Sequence, residues 1–111
     1  NGLVLKGNGN DEFRTVKNSG FYVHSNPKSM IYLFDKNQQM VILASQNRNK
    51  LLAFKPKNSN SLVPRLKGVQ KIIYEINGKK AVREFYLGSS YLGQSSTSIV
   101  VPKNAKNIRY L

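Results

Sequence analysis

Val69-Gln70-Lys71-Ile72-Ile73-Tyr74-Glu75-Ile76-Asn77-Gly78-Lys79-Lys80-Ala81-Val82-Arg83-Glu84-Phe85-Tyr86-Leu87 decides the fold of this chain. Two runs rich in β-branched and aromatic residues flank Asn77-Gly78, the dipeptide best suited to the two positive φ angles of a type I′ turn. They predict a two-residue antiparallel hairpin. That turn sets Glu75 opposite Lys80, Lys71 opposite Glu84 and Ile73 opposite Val82, so two opposite-charge pairs bracket an apolar pair on one face. The other face collects Ile72, Tyr74, Ile76, Ala81, Phe85 and Leu87. This is the expected core face, with Arg83 snorkelling at its edge.

Working back toward the N-terminus, Met30-Ile31-Tyr32-Leu33-Phe34 and Met40-Val41-Ile42-Leu43-Ala44 are separated by the polar stretch from Asp35 to Gln39. Two short apolar runs joined by a polar turn read as a hairpin whose strands are covered on both faces. Leu51-Leu52-Ala53-Phe54 follows after another polar stretch, and three consecutive antiparallel strands make a meander. Earlier still, Leu3-Val4-Leu5 reads as a short strand, Asn8-Gly9-Asn10-Asp11 as a turn, and Phe13 and Val16 as core contacts. Between Lys55 and Pro64 the composition shifts to Lys, Pro, Asn and Ser, which marks an exposed linker and an internal boundary. Toward the C-terminus, Thr97 to Val101 alternates as a strand ended by Pro102, and Ile108 to Leu111 predicts a last one. No window sustains a helical period. The expectation is an all-β chain with little or no helix: an antiparallel meander over residues 1–58, then a hairpin-led β-sheet over 59–111. The two parts are expected to share a core and unfold together.

Length and composition bound the rest. One domain is the expectation at 111 residues. An apolar fraction of 40% with six Tyr and five Phe argues against disorder despite the charge. No apolar run approaches the roughly 20 residues of a spanning helix, so no membrane insertion by this segment is expected. The start at Asn1-Gly2, without Met or a signal peptide, reads as a piece of something longer. Without Cys there are neither disulfides nor thiolate metal sites. A formal charge of +13 favours polyanionic partners, yet the eighteen cations are spread from Lys6 to Arg109 with no run of five. Solvated surface charge is the plain reading. The functional alternative is a polyanion site for sulfated glycan or nucleic acid built on Lys67, Lys71, Lys79, Lys80 and Arg83, nucleic acid being the less expected partner.

Candidate chemistry is sparse. His24 is the only imidazole, and Asp11, Glu12, Asp35, Glu75 and Glu84 are the only carboxylates. Acid-base catalysis needs groups whose pKa values are pushed apart in a shared pocket. No pair here is placed to share one, and an enzyme is not expected. Neither Asp35-Lys36-Asn37-Gln38-Gln39 nor Asn8-Gly9-Asn10-Asp11-Glu12 has the carboxylate density of a calcium loop. Gly7-Asn8-Gly9 is not followed by a helix that would aim at a phosphate. No metal or cofactor is expected. Gly88 to Ser96 is a polar stretch around an aromatic residue. It reads as a ligand loop, with Ser89, Ser90, Tyr91 and Gln94 as contacts, or as a loop whose Tyr91 and Leu92 plug the sheet.

Gly78-Lys79-Lys80-Ala81-Val82-Arg83-Glu84, followed by Gly88-Ser89-Ser90-Tyr91-Leu92-Gly93-Gln94-Ser95, resembles the ASPIC/UnbV domain and its pattern GG-x-x-x-x-R-E-V-x-x-G-x-x-Y-L-S-Q-S. Gly93 stands where that pattern has Ser, and its later hFGLG element is not visible in Ser98 to Lys103. The first half is similar to the FG-GAP or VCBS repeat, through Leu5-Lys6-Gly7-Asn8-Gly9 with Phe13, the Met30 to Asp35 strand, Ser45-Gln46-Asn47 and Leu52-Ala53-Phe54. The resemblance implies the C-terminal end of a long secreted or surface β-propeller protein, residues 1–58 being a blade-like meander. It implies a non-catalytic structural or recognition role in adhesion or protein/carbohydrate interaction, with the rest of the parent chain and a protein or glycan ligand as partners. The calcium loop of such repeats, D-x-D-x-D-G, is replaced here by Asp35-Lys36-Asn37-Gln38-Gln39, so calcium binding is not carried over.

Overall fold

The structure, a computed structural model, describes residues 2–57, 60–88 and 93–111. Ten strands follow one another: β1 (Leu5–Gly7), β2 (Phe13–Thr15), β3 (Pro27–Phe34), β4 (Met40–Gln46), β5 (Leu52–Phe54), β6 (Asn60–Val63), β7 (Lys71–Ile76), β8 (Lys79–Glu84), β9 (Ile99–Pro102) and β10 (Lys106–Tyr110). Among the described residues there is no helix. The strands form four antiparallel sheets, ordered β1-β2, β3-β4-β5, β6-β9 and β10-β7-β8. The chain is all-β, a meander followed by a hairpin-led sheet.

The decisive hairpin has the expected register, with Glu75 opposite Lys80, Ile73 opposite Val82 and Lys71 opposite Glu84. Asn77 and Gly78 adopt φ of 50° and 74°, both in the left-handed region that a type I′ turn demands. Ile72, Tyr74 and Phe85 are buried as expected, and Ile72 is wholly so at 0% exposure. They join Val63 of β6 and Ile99 and Val101 of β9 in one cluster, packed around by Val69, Ile76, Ala81, Ala105 and Ile108. The β6-β9 pair thus closes over the inner face of β10-β7-β8, a small sandwich of two sheets.

The meander also forms, with Met30 opposite Ala44, Tyr32 opposite Ile42 and Phe34 opposite Met40, and with Ile42 opposite Phe54 and Ala44 opposite Leu52. Its burial corrects the expectation of strands covered on both faces. Ala44 is the one fully buried residue of this sheet, and Met30 and Leu33 are 52% and 40% exposed. What covers it is slight: Phe21 tilts onto Phe54 with ring centroids 4.7 Å apart, and the buried Val23 lines a shallow hollow with Met30 and Ala44.

Other boundaries move for local reasons. The stretch read as a linker contains β6, because Ser61, Leu62 and Val63 pair with Val101, Val100 and Ile99. Polar composition concealed a strand with one inward side chain. The first strand lies at Leu5–Gly7 rather than at Leu3, and pairs with β2 as a two-stranded ribbon whose residues are all exposed. Phe13 is therefore no core residue: at 71% exposure it lies over Gly7, its directly paired partner. Leu87, also 71% exposed, leaves the core face because the chain departs from β8 after Glu84.

The two parts meet at Tyr32. Its N–H donates to Ser95 Oγ (3.1 Å) and its hydroxyl to the Ser98 carbonyl (3.2 Å), while Ser96 N–H donates to the Tyr32 carbonyl (2.8 Å). Residues 95–98 thereby cover the free edge of β3 at this point. The radius of gyration is 15.4 Å, against about 13 Å for a compact domain of this length.

Candidate functional site

Acidic groups first. The Asp35 carboxylate accepts from the backbone N–H groups of Asn37 and Gln39 and from Lys55 Nζ at 3.0 Å. The Gln39 amide, with Lys55 next, holds its pKa below the usual carboxylate value. It closes a hairpin turn in which Gln38 takes φ of 61°. Glu12 Oε2 accepts from Asn8 Nδ2 within the β1–β2 turn. Glu84 Oε2 accepts from the Tyr86 hydroxyl at 2.7 Å, and this bond raises the tyrosine pKa. Glu75 Oε2 accepts from Asn107 Nδ2 at 2.9 Å. His24 is exposed, edge-on to Tyr22. Among the described residues no three His, Asp or Glu side chains gather as metal ligands.

The basic candidates divide. Lys71 and Lys80 share the outer face of the β7–β8 hairpin, while Lys79 and Arg83 sit opposite Ile76 and Ile72 on the inner-face side of β8, and Lys67 lies in the turn before β7. The five thus do not form one patch. Sequence reasoning missed Lys106 and Arg109, which β10 brings alongside β7 opposite Glu75 and Ile73. Their spacing of three hides this. A regular strand would send them to opposite faces, but a bulge lies between them, with Asn107 at φ of 54°, and the extra residue returns both to one face.

Of the candidate ligand loop, Ser89, Ser90 and Tyr91 lie outside the described residues, as does Leu92. Gln94 accepts from Gly88 N–H (2.8 Å) and donates to the Ser95 carbonyl (2.8 Å), so its amide shapes the chain around it. A groove of about 670 Å³ runs along the junction of the two parts, lined by Tyr32, Arg83, Glu84, Tyr86 and Thr97 among others. Tyr32 comes from the meander and the rest from the second part, so no local motif announces it.

No protein-family model matches the chain, and comparisons with curated proteins and with solved structures also return no match.

Proposed function

We propose that this chain is a non-catalytic structural and recognition segment of a larger secreted or surface β-propeller protein, its meander serving as a blade and its second part as the cover of the blade's edge. The observation that carries this reading is the two-sided apolar character of β3-β4-β5. Met30, Tyr32, Phe34, Met40, Ile42, Leu52 and Phe54 share one face, and Ile31, Leu33, Val41 and Leu43 the other. A sheet with one solvated face alternates apolar and polar residues, whereas a sheet stacked between layers is apolar on both. Here both faces are apolar and only Ala44 is buried, which is the surface a blade presents to its neighbours. The likeness to FG-GAP or VCBS repeats and to the ASPIC/UnbV domain points the same way, with protein or glycan ligands at the cell surface as the expected partners.

The test is the association state of the chain by sedimentation, with ANS fluorescence as a second readout. The expected result is self-association and dye binding at tens of micromolar, both reduced by Leu33→Lys while the far-UV spectrum is kept. A monomer that leaves the dye dark would overturn the blade reading.

A further inference from the structure

The outer face of β10-β7-β8 is a three-by-three grid. Lys106, Glu75 and Lys80 lie across it in one row, Arg109, Ile73 and Val82 in the next. Leu111, bonded to Lys71 in both directions, begins a third row with Lys71 and Glu84. Four cations therefore surround an apolar centre, against two side-chain carboxylates, Glu75 and Glu84. Both carboxylates are engaged by neutral donors, Asn107 and Tyr86, and among the described residues the ion pair within 4 Å is Lys55–Asp35, elsewhere. All four cations are exposed. The Asn107 bulge puts Lys106 and Arg109 on this face together.

We propose that this face binds a sulfated polysaccharide, with Lys71, Lys80, Lys106 and Arg109 meeting sulfate groups and Ile73 and Val82 lying under sugar-ring C–H surfaces. Charge complementarity selects a polyanion. The geometry selects among polyanions. None of the nine grid residues is aromatic, and the one exposed aromatic at the rim, Tyr86, is held through its hydroxyl by Glu84, so the face lacks the row of stacking platforms that successive unpaired bases use. Three strands abreast exceed the two-stranded ribbon that a DNA major groove admits. A flexible, heavily sulfated chain needs neither a platform nor a groove.

This inference is independent of the blade reading, which stands on the other sheet: a monomeric, dye-silent chain that still bound heparin would end that reading and leave this one intact. The experiment is calorimetric titration with size-defined heparin oligosaccharides over a salt series. Replacing Lys71, Lys80, Lys106 and Arg109 together by Gln is expected to lower affinity about a hundredfold at near-physiological salt and to flatten the log–log salt slope by roughly one unit per cation removed. A control of equal charge, Lys6, Lys17, Lys36 and Lys57 to Gln, is expected to stay within about threefold of wild type. Glu75→Gln and Glu84→Gln keep their hydrogen-bond acceptors and are expected to tighten binding several-fold, which decides the matter even if the fourfold variant fails to fold. Equal losses in face and control variants, unaltered affinity in both glutamine variants, absence of heparin binding, or tighter binding of DNA than heparin at the same salt would each overturn the proposal.

Discussion

Asn77, Gly78 and Asn107 hold left-handed backbone conformations at the hairpin turn and at the bulge of β10. Nothing lies within 4 Å of where a Cβ on Gly78 would be, so Gly78→Ala costs backbone strain alone, about 1 kcal/mol. Chemical denaturation is expected to show that loss with an unchanged m-value; a neutral substitution would mean the turn is not type I′. Asp35 makes a pH-dependent contribution. Because its folded pKa lies below the unfolded value, the stability it supplies is complete above the ordinary carboxylate range and is lost as pH falls through the depressed folded pKa. Asp35→Asn is therefore expected to flatten the acid limb of a melting-temperature profile below about pH 4. An acid limb identical to that of wild type would assign the dependence to other carboxylates.

At the level of elements, the sandwich is centred on Ile72, which has no exposed surface. Ile72→Ala removes three carbons from a site walled by both sheets, and a cost of about 3 kcal/mol is expected. Hydrogen exchange is expected to show the β7 and β9 amides losing protection together; a loss confined to β7 would mean that the two sheets do not share this core. These same elements show what a sequence conveys. The hairpin was legible to its register, because a two-residue turn fixes pairing by chemistry contained in four adjacent residues. The meander was legible as strands but not in its burial, since an apolar run reports which side chains would accept a covering layer, not whether one is there. β6 was hidden because Val63 alone of its residues is buried, and its partner β9 lies more than thirty residues away in the chain. The basic face was half legible: Lys71 and Lys80 follow from the hairpin, whereas Lys106 and Arg109 depend on a bulge and on a distant pairing.

Across the whole molecule, the two parts are coupled through Tyr32 and residues 95–98. Tyr32→Phe deletes the hydroxyl donated to Ser98, a loss of about 1 kcal/mol, equivalent to about 4 °C in melting temperature at this chain length. Calorimetry is expected to give a single transition in wild type and a lowered one in the variant. Two separated transitions in wild type would show that the parts melt independently. The meander also carries a hazard of its own. β5 spans only Leu52–Phe54, so its local opening bares the side of β4, where Met40 to Gln46 runs without a charge, a proline or a glycine. Such a window is the kind that stacks into cross-β fibrils. Agitated solutions held just below the melting temperature are expected to seed amyloid from this strand, detectable by thioflavin T, and a lysine in place of Val41 is expected to act as a gatekeeper and lengthen the lag.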